Sequence, residues 1–103
     1  MAAYLAGKVA VVFGSGGELH RSVAVALAQG GADIAVAGVT GGDLSAEASL
    51  HSIANEIWAL GRKSAVVTLA ADDAPSFAHA VVAATKELGR ADVVVRAEAV
   101  LNA

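Results

Sequence analysis

The sequence predicts an α/β fold in which a parallel β-sheet of about four strands lies between two layers of α-helices. Short apolar runs rich in valine alternate with segments whose apolar residues recur every three or four positions. The connections between them are short and contain glycine. Because such alternation gives right-handed crossovers, we expect a three-layer αβα arrangement with the strand order 3-2-1-4.

Four short apolar runs are predicted to be strands. Each is rich in β-branched residues and too short for a typical helix, which favours strands buried inside a parallel sheet. These runs are residues 8–13, 33–37, 64–69 and 92–95. A short tail, residues 96–103, follows the fourth run and could be helical.

Three segments between these runs carry apolar residues at helical spacing and are predicted to be helices. Their expected core residues are Leu19, Val23 and Leu27 in the first, Leu50, Ile53, Ala54, Ile57 and Trp58 in the second, and Phe77, Val81, Val82 and Leu88 in the third. The expected N-caps are Asp43 or Ser45 for the second helix and Asp72 or Asp73 for the third. Glycines at positions 30, 31, 61 and 89 would end the helices.

Composition limits the classes of function. The chain has 103 residues, which suits a single domain over residues 1–103. Its net charge of -3 and scattered basic residues argue against binding to nucleic acid or to a membrane surface. The apolar runs are too short to cross a bilayer, and the first residues do not resemble a signal peptide. We therefore expect a soluble cytoplasmic protein.

The residues that commonly bind metals do not form a pattern. The chain has no cysteine, which excludes disulfides, thiolate chemistry and cysteine-bound metals. His20, His51 and His79 are dispersed and lack the spacing of metal ligands. We expect no metal, and we expect the histidines to lie at the surface or in an interface.

The turn between the first strand and the first helix reads Gly-Ser-Gly-Gly-Glu-Leu-His-Arg, residues 14–21. A glycine-rich turn at this place commonly cradles a phosphate, because free backbone N–H groups at a helix N-terminus bind anions. Gly14, Ser15, Gly16 and Gly17 are therefore the candidate cofactor-binding residues.

Several stretches, in this order and spacing, resemble a known family. They are LAGKVAVVFGSGGELHRSVAVALAQGGADIAVAG (5–38), ALGRKSAVV (59–67), ELG (87–89) and RADVVV (90–95). Together they resemble the N-terminal, cofactor-binding half of the short-chain dehydrogenases/reductases. The resemblance implies a truncated Rossmann-like domain, and it implies NAD or NADP as the cofactor if one is bound.

The glycine turn departs from the pattern of this family, which is Thr-Gly-x-x-x-Gly-x-Gly. In register, the threonine is replaced by Phe13 and the first glycine is kept as Gly14, while Glu18 and His20 stand at the other two glycines. A carboxylate at position 18 would repel a pyrophosphate and could itself occupy the positive end of the helix. His20 adds bulk where the family has none.

Three further cofactor positions of the family are also changed. Gly38 and Val39 stand where the family often has an acidic residue or an arginine for the ribose. Ala70 replaces an aspartate near the adenine. Arg96, Ala97, Glu98 and Ala99 replace the sequence Asn-Asn-Ala-Gly. Changes at four separate places indicate a fold that is kept without its ligand.

No catalytic residue is predicted. In the family, the catalytic serine and the Tyr-x-x-x-Lys pair lie beyond the fourth strand, where this chain ends. Tyr4 and Lys8 have the spacing of that pair, but they precede the first strand and no helix brings them onto one face. Enzymatic activity is therefore left open, with the balance against it.

The fourth strand is the predicted interface. It would lie at an edge of the sheet, where unpaired backbone groups invite pairing with another chain. Its residues are Asp92, Val93, Val94, Val95 and Arg96. We expect a homo-oligomer or docking on a larger protein through this strand and the tail.

Two functions follow from these observations. The first is a non-catalytic domain, without a cofactor, that acts in assembly or scaffolding. The alternative is an NAD(P)-binding subunit, or a fragment of a short-chain oxidoreductase, whose catalytic residues are supplied elsewhere. The changed positions favour the first function, and the glycines at 14, 16 and 17 favour the second.

Overall fold

The computed structural model describes residues 4–97, which form four strands and three helices in strict alternation. In chain order they are β1 (Val9–Gly14), α1 (Glu18–Gln29), β2 (Asp33–Val39), α2 (Leu44–Ala59), β3 (Ser64–Leu69), α3 (Ala74–Leu88) and β4 (Val93–Ala97). The strands form a parallel sheet in the order β3-β2-β1-β4. The predicted fold class and strand order are confirmed. Residues 98–103 of the predicted tail lie outside the described residues.

The sheet separates two apolar cores. Alternate residues of a strand point to opposite faces, so Ala10 and Val12 of β1 lie in one core while Val11 and Phe13 lie in the other. The first core is closed by α1 and α2, and the second by α3. Because β1 and β2 are covered on both faces, packing fixes the positions from which the connections after these strands begin.

The helix α1 lies on the sheet through a different face from the predicted one. Its buried residues are His20, Ala24 and Ala28, whereas Leu19 is exposed. The two alanines allow the helix to approach the sheet closely, and a residue one position before His20 is turned about 100° away from that face. The expected core position of Leu19 is therefore wrong, while Val23 and Leu27 pack at the margin of the core.

Two predicted core residues of the other helices are also exposed. Trp58 has 74% of its surface accessible, because α2 buries the face that contains Leu50, Ile53 and Ile57. In α3 the buried residues are Ala80 and Ala84, with Val82 exposed on the outer side. The face that each helix buries thus differs in kind: α3 lies on the sheet through small alanines, whereas α2 buries large aliphatic residues.

The helix ends follow the predicted capping chemistry in two cases. Asp43 accepts hydrogen bonds from the N–H groups of Ser45 and Ala46 at the start of α2. Asp73 accepts from Ser76 N–H at the start of α3, and Gly89 ends that helix with a φ of 91°. The start of α1 has no side-chain cap. Among the described residues, no helix is long and apolar enough to cross a membrane.

Candidate functional site

The turn after β1 is closed by the imidazole of His20. Its Nδ1 accepts a hydrogen bond from Gly16 N–H at 2.9 Å, and its Nε2 lies 2.8 Å from the carbonyl oxygen of Val12. Because the Gly16 N–H can only donate, Nδ1 carries no proton and Nε2 donates to Val12. The ring is therefore neutral and is bonded at both nitrogens, one to the strand and one to the turn.

Burial lowers the pKa of His20, and the hydrogen bond to Val12 opposes this shift. The side chain is fully buried. The expectation that the histidines lie at the surface or in an interface is therefore wrong for His20, which is buried inside the chain, whereas His51 and His79 are exposed.

Gly14 provides the space that His20 fills. A Cβ at position 14 would lie 2.5 Å from Cγ of His20 and 2.8 Å from its Cβ, which is closer than two carbon atoms can approach. The His20 ring thus occupies the space that a side chain at position 14 would fill. The sequence contains this complementarity, but nothing along the chain indicates that residues 14 and 20 face each other.

Glu18 is the first residue of α1, and its side chain does not cap the helix. Its carboxylate accepts hydrogen bonds from Arg21 and Ser22, and its side chain is 76% exposed. The guanidinium of Arg21 lowers the pKa of this carboxyl. Arg21 also bonds Glu56 of α2 at 2.9 Å. Glu18 thus lies at the positive end of the helix as expected, but Arg21 and Ser22 bind its carboxylate, and no side-chain hydrogen bond caps the backbone there.

The candidate residues Gly14, Ser15, Gly16 and Gly17 form one compact turn, but two of their backbone donors are already used. Gly16 N–H bonds His20, and Gly17 N–H lies 3.3 Å from Oγ of Ser15. A phosphate cradle requires such donors to point at the ligand. The turn therefore directs the N–H of Gly16 inward, to the buried imidazole of His20.

A pocket of about 310 Å³ lies beside this turn, at the carboxyl ends of β1, β2 and β3. Its lining residues are Phe13, Gly14, Ser15, Gly38, Val39, Leu69, Asp72 and Phe77. Parallel α/β sheets commonly bind ligands at this edge. Most of the lining is apolar, so the pocket suits a planar or apolar group better than a phosphate.

Gly38 is held without a side chain by the packing of the sheet. A Cβ at this position would lie 2.7 Å from the carbonyl oxygen of Gly14 and 3.0 Å from a methyl carbon of Leu50. The acidic residue that the family often carries after the second strand has no room here. The next residue, Val39, is partly exposed at the pocket.

Arg96 lies over the aromatic part of the pocket and not simply in solvent. Its guanidinium carbon is 4.5 Å from the ring centre of Phe77, whose ring packs against Phe13 in a T-shaped pair with centres 4.7 Å apart. A second contact of Arg96, at 3.5 Å, is with the carboxylate of Asp72. The sequence placed Arg96 at the sheet edge and at a changed cofactor position, but it did not indicate that this side chain reaches the ring of Phe77.

The remaining candidates do not join this site. Tyr4 and Lys8 precede β1, so they lie at the amino end of that strand, whereas the turn lies at its carboxyl end. Asp92 is tied to β1, because its carboxylate accepts from Val9 N–H at 2.8 Å. Within residues 4–97, no group of acidic residues and histidines could hold a metal ion.

Solved structures match this chain, whereas no protein-family model and no curated protein does. A carveol dehydrogenase from Mycobacterium avium in complex with NAD is 32% identical, with a TM-score of 0.71 over 88% of this chain and 35% of that chain. A blue fluorescent protein from a metagenomic library, in complex with NADPH, is 31% identical, with a TM-score of 0.77 over 88% of this chain and 36% of that chain. A third match, at 25% identity and a TM-score of 0.73, is a short-chain dehydrogenase/reductase from Serratia marcescens; it covers 90% of this chain and 36% of that one. The chain thus spans about a third of the length of these proteins.

Proposed function

This chain has the fold of the short-chain dehydrogenases/reductases, as its match to solved structures confirms, and we propose a function from that premise. In this proposal the chain is a non-catalytic domain that acts in assembly, bound to a second copy or to a larger protein, and it holds no dinucleotide. The observation that supports the proposal is the closed glycine turn, in which His20 takes the N–H of Gly16 and Oγ of Ser15 lies close to the N–H of Gly17.

The closed turn opposes dinucleotide binding in two ways. To free Gly16 N–H for a phosphate, the hydrogen bond to His20 must break, and a buried imidazole nitrogen would lose its partner. Leaving a buried polar group unpaired costs about 1–3 kcal/mol. The carboxylate of Glu18 lies one residue after the turn and repels an approaching anion, although Arg21 partly neutralises it. Both effects weaken the binding of a pyrophosphate.

Titration with NADH and with NADPH tests this proposal. We expect no binding to the unchanged chain tighter than about 100 µM, which corresponds to roughly 5–6 kcal/mol. Replacing both obstacles, with Glu18→Gly and His20→Gly, should strengthen binding at least tenfold. Binding is followed by calorimetry and by the fluorescence of the reduced cofactor, and circular dichroism establishes that each variant is folded.

A matched control removes the same two residue types elsewhere. The pair Glu87→Gly and His79→Gly changes exposed positions of α3 and should leave cofactor binding as it is. Glu18→Gly alone separates the electrostatic effect from the rearrangement of the turn if the double variant unfolds. Tight binding of either cofactor to the unchanged chain would overturn the proposal.

The second candidate is an NAD(P)-binding subunit or a fragment of a short-chain oxidoreductase. It is favoured by the pocket beside Gly14, which survives although the turn is altered. Two of the similar proteins are complexes with NAD and with NADPH. In this candidate the contacts come from Gly14, Ser15, Gly16 and Gly17. The same titration selects it, since binding to the unchanged chain is its direct consequence.

The contact that assembly uses in this proposal is the outer edge of β4. In the described part of the chain β4 pairs with β1 on one side, and its other side faces no strand. Val94 is 54% exposed although its register partner Val11 is fully buried. An apolar residue on an open strand edge favours pairing with a second chain.

A charge on this edge should abolish such a contact. We expect Val94→Lys to remove the association that runs through β4 and to lower the mass accordingly, or to unfold a chain whose stability depends on that association. Size-exclusion chromatography with light scattering gives the mass, and circular dichroism gives the folded state. Val82→Lys, at a similarly exposed apolar position of α3, is the control and should change neither. An unchanged mass and spectrum for Val94→Lys would contradict the assignment of the interface to β4.

A further inference from the structure

The two ends of α2 carry exposed apolar residues of unusual size for a small domain. At the start of the helix Leu44 is 80% exposed. In the last turn of the helix Trp58 is similarly exposed, and the exposed Leu60 directly follows the helix. A single large exposed apolar side chain is ordinary in a soluble protein. Here Leu44 and Trp58 each lie beside charged residues, and such a combination suits the binding of a partner.

The surface at the end of α2 is basic. We call it the basic end, and it consists of Trp58, Leu60, Arg62 and Lys63. A shallow pocket of about 310 Å³ is lined by Trp58, Gly61, Arg62 and Lys63. Arg62 is positioned by hydrogen bonds to the carbonyl oxygens of Gly31 and Gly61. The basic end therefore combines an aromatic side chain, a concave surface and two positive side chains. These outnumber the carboxylate of Asp33 beside them, which accepts a hydrogen bond from Lys63 N–H at 2.9 Å.

The surface at the start of α2 is acidic. We call it the acidic end, and it consists of Val39, Asp43, Leu44, Glu47 and Asp72. Asp43 and Glu47 lie in the cap and first turn of the helix. The loop after β2 meets the end of β3, because Thr40 N–H donates to the carbonyl oxygen of Leu69, and this contact brings Val39 and Asp72 to the same pocket. The most exposed apolar residue of this end is Leu44.

Part of the charge at the two ends is used inside the molecule, since Asp43 caps α2 and Arg62 donates to two backbone carbonyls, but few of these residues form ion pairs. The described residues form four ion pairs, and these involve Arg21, Arg90 and Arg96 as the cations. Of the acidic-end and basic-end residues, only Asp72 takes part, at 3.5 Å from Arg96. Acidic residues near helix starts and basic residues near helix ends also stabilise the helices themselves. That role does not account for the exposure of Leu44 and Trp58 beside them.

The two ends cannot meet within one molecule. The helix that separates them has 16 residues, and at about 1.5 Å per residue they lie on the order of 24 Å apart. The charges of the two ends are opposite in sign, and each end has an exposed apolar residue. A second copy of the same chain therefore presents the complement of each end.

We propose that the basic end of one copy binds the acidic end of a second copy, head to tail, with Trp58 packed against Leu44. Such a contact joins two different surfaces, so it leaves a free end on each copy and can close a ring or extend a filament. The charges orient the encounter and the exposed apolar residues supply the burial. This inference does not depend on the proposed function, because it uses neither β4 nor the glycine turn.

Complementation between two variants of the full chain tests the head-to-tail contact. Trp58→Ser removes the most exposed apolar residue of the basic end, and Leu44→Ser removes that of the acidic end. We expect each variant alone to associate at least tenfold more weakly than the unchanged chain in sedimentation velocity at low salt. Mixed in equal amounts, they should form a one-to-one dimer, because each contributes the end that the other lacks.

The mixture distinguishes this contact from a symmetric one. A contact between identical surfaces, such as β4 with β4, would survive both serine substitutions and would gain nothing from mixing. Val82→Ser is the control for removal of an exposed apolar residue and should behave as the unchanged chain. Raising the salt from 50 to 500 mM should weaken the association, since exposed charges are then screened within a few ångströms.

Three results would overturn the proposal. They are a monomer at every concentration at low salt, association that neither serine variant weakens, and weakened variants that do not complement each other. Circular dichroism of each variant establishes that the loss of association does not come from unfolding, which is expected to be absent at such exposed positions.

Discussion

Gly14→Ala is expected to destabilise the protein by about 3–5 kcal/mol, because overpacking a core costs about 1–3 kcal/mol and the two hydrogen bonds of His20 are lost in addition. The new methyl group would lie 2.5 Å from Cγ of His20, so the ring must leave its site or α1 must move away from β1. Small proteins are stable by about 5–15 kcal/mol, so this is a large share of the total. The midpoint of thermal unfolding should fall by roughly 15 °C or more.

The cause of this loss can be isolated by a double-mutant cycle. His20→Ala alone removes a buried side chain and two hydrogen bonds, and we expect it to cost about 2–4 kcal/mol. In the His20→Ala background, Gly14→Ala should cost less than about 1 kcal/mol, because the space that the methyl group needs is then empty. Urea unfolding followed by circular dichroism measures all four species.

A control for this cycle is Gly17→Ala, which adds a methyl group to the same turn. The atom nearest to that group would be Oγ of Ser15 at 3.3 Å, and the φ of -88° suits alanine, so the effect should be small. Free-energy changes that simply add in the double variant would show that residues 14 and 20 do not act on each other. In that case the closed turn would not account for the loss of stability.

Gly38→Ala is the second substitution with a large expected effect, about 2–4 kcal/mol of destabilisation, at and slightly above the usual range for overpacking. Its methyl group would lie 2.7 Å from the carbonyl oxygen of Gly14, which belongs to the neighbouring strand. A backbone atom in the middle layer of the molecule cannot move without disturbing the ladder between β1 and β2, which is regular from Val9 to Phe13. The expected result is reduced stability with little change in secondary structure.

Shortening the other neighbour should give only a partial rescue. Leu50→Ala removes the methyl carbons at 3.0 and 3.3 Å, but it leaves the Gly14 oxygen in place. We therefore expect Gly38→Ala to remain destabilising by at least about 1 kcal/mol in the Leu50→Ala background, as measured by urea unfolding. Complete rescue would mean that Leu50, and not the strand backbone, forbids a side chain at position 38.

Both substitutions concern the same physical feature, the density of packing at the carboxyl ends of β1 and β2. Gly14 and Gly38 lie where a dinucleotide fold commonly opens to a phosphate and a ribose. In this chain the two glycines instead accept His20, Leu50 and the neighbouring backbone. Internal contacts are therefore enough to account for glycine at both positions. This agrees with the proposed loss of the cofactor.

The sequence by itself determined the order of the elements, the bounds of the strands to within two residues and the topology of the sheet. Periodicity, capping residues and turn glycines act over a few positions, so they can be read along the chain; Asp43, Asp73 and Gly89 are examples. The parallel order β3-β2-β1-β4 also followed, because short crossovers of one handedness leave few alternatives.

Only the tertiary structure decided which side of each helix is buried and what fills the glycine turn. The spacing of Leu19 and Trp58 fits a core face as well as that of their neighbours does, and the choice depends on how closely each helix approaches the sheet. In the same way, the role of His20 depends on the empty space at Gly14, six residues earlier in the chain and directly opposite in the fold. Such complementarity is a property of distances between elements, and those distances are set when the whole core packs at once.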